Sequence, residues 1–357
     1  MDKYRIDSHK LLYHVDRLGD WLRGATIYPI YMEVSPSGGC NHRCVFCGLD
    51  FMGYQARFLN WDLFRPRLAE LARLGLRSMM HGGEGEPLLH RHFAEMVEHG
   101  SACGLDQAIT TNGVLLKPGL AERLLPHCQW IKISINAGRA ETYARVHRTR
   151  PADFDAVLDN ARRAAEIRRR AGFACTLGMQ MVLLDENRDE AALLAALARQ
   201  AGMDYFVVKP YSQHPQSRTE TYKHTQYSDD LRLADTLGEL EGPDFQIVFR
   251  ARSMQKWDAA EHPYRRCLAL PFWSYVDAGG GVWACSAYLG DDRFYYGNLQ
   301  HSTFQEIWEG PRRQQHLEWV RGELDTCQCR VNCRMDEINR YLWDLKHPPA
   351  HVNFIWG

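Results

Sequence analysis

Ile27-Tyr28-Pro29-Ile30-Tyr31-Met32-Glu33-Val34 runs through Ser35-Pro36-Ser37-Gly38-Gly39 into Cys40-Asn41-His42-Arg43-Cys44-Val45-Phe46-Cys47. The first segment is apolar and β-rich, the second is made of turn formers, and the third carries cysteines spaced C-x3-C-x2-C. The pattern predicts a strand whose carboxyl end delivers the cysteines, which is the end where parallel α/β barrels keep their active sites. Three thiolates on one short loop can hold three irons of a four-iron cluster, since soft sulfur ligands suit iron–sulfur sites. The fourth iron then lacks a protein ligand, and an open metal position invites a substrate or cofactor, as catalytic metal sites do. A zinc knuckle or a chance group of buried thiols is the plainer reading of the same residues.

Downstream the strand pattern repeats. Asn60 can cap a helix bearing Leu63, Phe64, Leu68, Leu71 and Leu74, and Ser78-Met79-Met80-His81 reads as a short strand ending in glycines. Strands are expected at 107–110, 130–135, 173–184 and 204–208. They alternate with helices around Phe93, Met96 and Val97, at 120–125, around Phe154, Val157, Leu158 and Ile167, and at 190–201. Alternation of this kind requires parallel strands joined by right-handed crossovers. Counting the first strand there are six units, too few to close an eight-stranded barrel. The expected fold is therefore α/β, a partial (β/α)6 TIM-like barrel over residues 27–210 with an open side.

The flanks are simpler. Residues 1–26 hold Leu11, Leu12, Val15, Leu18 and Leu22 at helical spacing, a short amphipathic extension. Residues 211–261 are polar and punctuated, a linker with a helix near 229–240. From 262 to 357 the pattern changes, because Trp273-Ser274-Tyr275-Val276-Asp277, a glycine turn and Val282-Trp283-Ala284 form a β-hairpin signature between Cys267 and Cys285. A helix around 335–345 ends this small module.

A chain of 357 residues suits one large α/β domain or a smaller one with an appended module. Its formal net charge of −1 gives no electrostatic reason to expect nucleic acid or an acidic membrane as partner. Arg162, Arg163, Arg168, Arg169 and Arg170 alternate with Ala and Ile and read as a solvated helix face. No signal peptide and no membrane span is apparent, so the expected location is the cytoplasm. Eleven cysteines in a reducing compartment do not suit a disulfide framework, and eight of them form two groups, 40, 44 and 47, then 267, 285, 327, 329 and 333. Cys103, Cys128 and Cys175 read as small buried hydrophobes.

Cys40, Cys44, Phe46 and Cys47 match the C-x3-C-x-aromatic-C signature of the radical S-adenosylmethionine (radical SAM) superfamily, and the loop resembles that family's. The resemblance implies a 4Fe-4S cluster whose open iron is chelated by SAM, and an electron that splits SAM into a 5′-deoxyadenosyl radical able to abstract hydrogen from substrate. It also implies a flavodoxin- or ferredoxin-type reductant. His81-Gly82-Gly83-Glu84-Gly85-Glu86-Pro87 resembles the family's glycine motif in either of two registers. The adjacent proline and the Leu-Leu pair favour Gly83, Gly85 and Glu86 as contacts to the methionyl ammonium and leave Glu84 open. Lys132-Ile133-Ser134-Ile135-Asn136-Ala137-Gly138 resembles the strand end that binds SAM. There Ser134 would meet methionyl or ribose oxygens and Asn136, often Asp in the family, the ribose. Arg145 matches the arginine that pairs the methionyl carboxylate, for which its planar fork is apt; a solvated helix residue is the alternative. Thr111-Asn112-Gly113 recurs in the family too, and a tight turn is sufficient to explain it.

Cys267, twelve residues, Gly280, four residues and Cys285 are similar to the opening of the SPASM and twitch domains, which bind auxiliary 4Fe-4S clusters. A full SPASM domain uses about seven cysteines for two clusters. With five in this region, one auxiliary 4Fe-4S cluster on Cys267, Cys285, Cys329 and Cys333 is the economical expectation, with Cys327 a spare or a substitute for Cys329. A zinc site could use the same thiolates. Related maturases place an Asp after the first of these cysteines, but Leu268 stands here, and Asp277 reads as shaping the hairpin turn. Lys209, Tyr211 and His214, with Ser212 and Gln213, sit where a barrel presents substrate contacts and could equally stabilise the linker.

These readings predict hydrogen abstraction from a small polar substrate, a sugar, aminocyclitol or nucleoside, leading to oxidation, epimerisation or decarboxylation. The short stretch before the first strand argues against a peptide-recognition domain. Maturation of a ribosomally made peptide (RiPP) is the alternative, with a separate protein recognising the leader. A non-catalytic iron–sulfur electron carrier or sensor would explain both cysteine groups but not the glycine motif, Ser134 or Arg145.

Overall fold

The computed structural model describes residues 4–6, 8–260 and 262–353. Its strands are β1 (Tyr31–Val34), β2 (Ser78–His81), β3 (Asp106–Thr111), β4 (Cys128–Ser134), β5 (Thr176–Leu183), β6 (Tyr205–Pro210), β7 (Gln246–Phe249), β8 (Trp273–Val276), β9 (Gly281–Trp283) and β10 (Tyr295–Asn298). They form one sheet in the order β10-β9-β8-β1-β2-β3-β4-β5-β6-β7. Every pairing from β8 through β1 to β7 is parallel, whereas β9 runs antiparallel to both β8 and β10. Because β7 and β8 do not pair, the wound sheet stays open. This is the α/β partial barrel with a small C-terminal hairpin module that the strand–helix alternation predicts.

The physical reasons are local. Asn60 Oδ1 accepts from the amides of Asp62 (3.1 Å) and Leu63 (3.3 Å), starting the helix Trp61–Arg73 where a cap is expected. That helix buries Phe64, Leu68 and Leu71 against Met32 and Val34 of β1. The period of two along β1 then leaves Tyr31 on the opposite face, lining the interior. Cys128 and Cys175 are buried in the main core, as their scatter suggested. At the barrel's lower end, Leu11, Leu18 and Ile27 of the N-terminal extension pack with Phe272 and Leu342. No helix among the described residues is long and apolar enough to cross a membrane.

Two features go beyond the sequence reading. The segment 211–261, read as a linker with one helix, supplies a turn at Ser228–Arg232, the helices Leu233–Gly238 and Ala251–Ala259, and β7 between them. Gln246-Ile247-Val248-Phe249 is a short apolar run after Gly242-Pro243, and periodicity cannot distinguish such a run from a loop that packs. The C-terminal hairpin, read as part of a separate module, continues the barrel sheet, because β8 pairs with β1 in the register Glu33↔Tyr275. Across the gap from β7, Lys256 Nζ reaches Asp336 Oδ2 and Glu337 Oε1, both at 2.7 Å.

Asp277 shapes the hairpin turn as expected. Its Oδ1 accepts from the amides of Gly279 (2.7 Å) and Gly281 (2.9 Å), and its Oδ2 accepts from Trp283 Nε1 (2.7 Å). Asp277→Ala strands these donors in a mostly buried turn, so denaturant titration of the iron-loaded protein will show a loss of about 2–4 kcal/mol.

Candidate active site

The cysteine loop leaves β1 and is fastened from two sides. Arg43 N donates to His147 O (3.0 Å) and Val45 N to Val146 O (2.9 Å), tying the loop to the end of the helix Ala140–His147. Asn112 Nδ2 donates to Asn41 Oδ1 (2.7 Å), tying it to the loop after β3. Burial pushes the Cys40 thiol up to about 11. Burial also raises Cys44, and the nearby Cys47 and Cys40 add to it. Thiols gathered in this way favour a ligand that binds them as thiolates and displaces their protons. The donor set fits an iron–sulfur cluster held by Cys40, Cys44 and Cys47. The nitrogens of His42 and His147 also lie with Cys44 Sγ inside a 4.8 Å group that a single ion could use. His147 Nε2, however, is within 2.8 Å of Ile135 O, a bond that orients the ring as packing for the loop.

The glycine motif is the base on which this loop rests. A Cβ on Gly85 would lie 2.0 Å from Gly39 O, and Glu86 N donates to that same oxygen at 2.9 Å. Gly83 has φ +102° and a Cβ there would lie 2.3 Å from the Tyr275 hydroxyl. The Glu86 carboxylate accepts from Thr111 Oγ1 (2.6 Å), Asn112 N (2.8 Å) and Leu88 N (3.2 Å), and burial pushes it up to about 7. Glu84 accepts from Arg57 Nη2 (2.6 Å) and Ala278 N (3.1 Å), joining the loop to the hairpin. Both side chains thus work inside the scaffold, and Gly83, Gly85 and Glu86 do not line the cavity described below. Gly85→Ala drives a methyl group into backbone that cannot swing away. The variant will bind less iron after reconstitution, while Gly119→Ala, where a Cβ meets nothing within 4 Å, will match the parent.

A cavity of about 900 Å³ occupies the barrel interior. Phe46, Cys47, Ser134, Asn136, Lys209 and Tyr211 line it, as their sequence positions suggested. Ser134 Oγ accepts from Gln180 Nε2 at 2.6 Å. Asn136 sits at φ +56°, a left-handed conformation that Asn tolerates, and its Oδ1 accepts from Val182 N at 2.8 Å. It therefore braces the loop as well as facing the cavity.

Like Gly83, Gly85 and Glu86, the expected contacts Arg145 and His214 are not brought there. Arg145 is exposed on the outer side of the helix Ala140–His147, which buries Thr142, Tyr143, Val146 and His147, and it donates to Thr142 Oγ1 (3.3 Å). The solvated alternative describes it, since helical periodicity turns position 145 away from the buried stripe. His214 Nε2 lies 3.1 Å from Ser286 O and its Nδ1 accepts from Gln216 N (3.1 Å), so both ring nitrogens brace the linker. Sequence reasoning also passed over Lys132, Arg250, Arg330 and Arg334, all on the cavity wall. The available signal was Lys132 two residues before Ser134, on the same face of β4.

In the C-terminal module, Cys267, Cys285, Cys329 and Cys333 all line this cavity. Burial raises the Cys285 thiol, and Cys329, Cys267 and Cys333 each raise it further, so the four converge. Met335 N donates to Cys333 Sγ (3.2 Å) and Asn339 Nδ2 to Cys267 Sγ (3.5 Å), contacts that favour thiolates. Cys327 is exposed and its neighbour is Asp325, so the choice left open between Cys327 and Cys329 falls on Cys329. An all-sulfur set of four closes a site completely, which suits a structural or electron-carrying centre.

An open parallel barrel whose cavity is reached by Cys47 of a three-thiol loop and by all four thiols of a second group has the donor sets of an α/β iron–sulfur protein. Residues 34–198 match the radical SAM superfamily and residues 267–334 match SPASM, an iron–sulfur cluster-binding domain. The chain therefore carries a radical SAM superfamily domain followed by a C-terminal SPASM domain. A radical SAM domain joined to a SPASM domain implies 4Fe-4S clusters and SAM as the cofactors. It is 25% identical over 320 residues to the AdoMet-dependent heme synthase of Methanosarcina barkeri, covering 83% of this chain and 88% of that protein. To the mycofactocin maturase MftC of Mycolicibacterium smegmatis it is 26% identical over 310 residues, 83% of this chain and 74% of the other. The fold is shared with Streptococcus suis SuiB bound to S-adenosylmethionine, at TM-score 0.65 and 18% identity, over 84% of this chain and 70% of that one.

Proposed function

We propose that the protein is a radical SAM maturase of a peptide substrate. In this reading Cys40, Cys44 and Cys47 hold the SAM-binding cluster, and Cys267, Cys285, Cys329 and Cys333 hold the auxiliary one. When bound, the cluster and SAM supply hydrogen-atom abstraction. The chain orients the reactants, with Phe46 and Ser134 on the SAM side, and keeps water out with the packed interior. Full ligation of the auxiliary cluster favours a role in taking up the electron left on the substrate.

The observation that carries the peptide reading is likeness to the mycofactocin maturase along 83% of this chain, spanning barrel and SPASM domain alike. The nucleoside among the substrates expected from the sequence is favoured only by likeness to the GTP 3′,8-cyclase of Marinobacter nauticus, 33% identical but over 49% of this chain. A non-peptide small molecule is the second reading, favoured by the likeness to the heme synthase over 83% of the chain.

The test is anaerobic incubation of the reconstituted protein with SAM, dithionite and peptides translated from short reading frames beside its gene. The expected result is a mass change in one peptide, with 5′-deoxyadenosine formed in parallel. 5′-Deoxyadenosine without any altered peptide, together with consumption of a small molecule, overturns the maturase reading. Its complete absence overturns the radical chemistry assigned to these residues.

A further inference from the structure

We propose that Lys132 and Lys209 form an anion site inside the barrel, which receives a carboxylate of the substrate. Lys132 is on β4 and Lys209 on β6, and both open on the cavity beside Ser134 and Tyr211. Three other cations of the wall have partners. Lys256 is held by Asp336 and Glu337, Arg334 is paired with the buried Glu33, and Arg330 donates to Ser212 Oγ (2.8 Å) and Ser212 O (3.1 Å). Among the described residues neither Lys132 nor Lys209 forms an ion pair; Lys132 Nζ lies 5.0 Å from the centre of the Trp130 ring, on the same strand.

The two ammonium groups therefore share this cavity at a cost. Burial, then Arg334 and Arg250, lower Lys132 to about 7. Burial, then Lys132, Arg334, Arg250 and Arg330, bring Lys209 well below the usual lysine range. Like charges collected in a poorly solvated cavity destabilise one another, and an entering anion offsets both the repulsion and the lost hydration. The choice of a carboxylate rests on the maturase reading, since a peptide offers one at its C-terminus or on an acidic side chain.

Three small probes separate those sources: N-acetylglutamine, with a free α-carboxylate, N-acetylglutamate α-amide, with a free side-chain carboxylate, and the neutral N-acetylglutamine α-amide. Each is titrated by calorimetry into SAM-saturated holoenzyme. At least one acid will bind about tenfold or more tightly than the neutral amide, and that preference will be lost in Lys132→Met and in Lys209→Met. The better acid names the source of the carboxylate. Iron content shows whether each variant has folded.

Should the variants not fold, the parent protein's pH dependence decides. Lysine pKa values lowered in the free protein and raised by a bound anion mean proton uptake on binding. Affinity will then fall by up to about tenfold per pH unit, for each proton taken up, as pH rises above about 7. Arg250, Arg330 and Arg334 are the other charged groups acting on the pair, and Arg334 carries its partner Glu33. Equal affinity for acid and amide, a flat profile from pH 6 to 9, or acid binding that appears only in SAM-free protein would overturn the proposal; the last would hand the lysines to the cofactor's own carboxylate. Acid binding with no peptide modified overturns the maturase reading alone, and a modified peptide with no acid binding overturns this site alone.

Discussion

Cys44→Ala protein, purified anaerobically and reconstituted with iron and sulfide, will hold about four irons where the parent holds about eight, and will form no 5′-deoxyadenosine from SAM and dithionite. Cys44 lies between Cys40 and Cys47 in sequence, and its thiol feels the charge of both. With one of three ligands gone, the cluster would lose a second iron anchor in addition to the iron that has none, and no side chain nearby supplies another thiolate. Cys103→Ala is the control. Cys103 is half-buried at the end of the helix Phe93–Ala102, apart from either cysteine group, and its loss will leave the iron content at the parent's level. A Cys44→Ala protein that still cleaves SAM would remove the basis for assigning the loop.

Cys329→Ala and Cys327→Ala will differ sharply although the residues are two apart. The first will lose the auxiliary cluster, about four irons, and the paramagnetic signal it contributes on reduction; the second will keep both. Asp325 Oδ1 accepts from Cys327 N (2.9 Å) and caps the short turn Thr326–Gln328, which leaves the Cys327 side chain exposed. Cys329 follows in an extended conformation (φ −86°, ψ 166°), and its thiol is shared with the Tyr288 hydroxyl inside the module. Equal iron loss in both variants would mean that the turn rearranges around the metal.

Much of this was legible in the chain. β2 matches its expected limits residue for residue, because Ser78-Met79-Met80-His81 is bounded by the turn at Gly75 and by the glycines that follow. The cysteine loop and the opening of the SPASM region were readable because metal ligation needs particular residue types at particular spacing, and spacing is a property of sequence. That Gly83 and Gly85 had to be glycine was readable, since only glycine permits such close approach, but the structure shows them packing under the cysteine loop and not on the cavity wall. Glu86 was found but with another task, because a carboxylate's partners depend on loops that are remote in sequence.

Arg145 and His214 show where spacing fails. Arg145 is at a motif-like distance from Ser134, yet the helix carrying it is rolled by the burial of Tyr143, Val146 and His147, and that roll turns the guanidinium to solvent. His214 lies four residues past β6, but the carbonyl of Ser286 was nearer to it than any cavity. β7 was hidden because a four-residue apolar run acquires a strand's hydrogen bonds only when β6 is beside it.

The sequence by itself therefore determined the chemistry that depends on local order: the two thiol groups, the glycine packing and the strand–helix repeat that winds a parallel sheet. Only the tertiary structure decided which side chains share the interior. It set Cys329 rather than Cys327 beside the other three thiols, kept Arg145 and His214 off the wall, and opened Lys132 of β4 and Lys209 of β6 on one cavity. The physical reason is that charge and burial act through space, across strands that neighbour one another only after the sheet has formed.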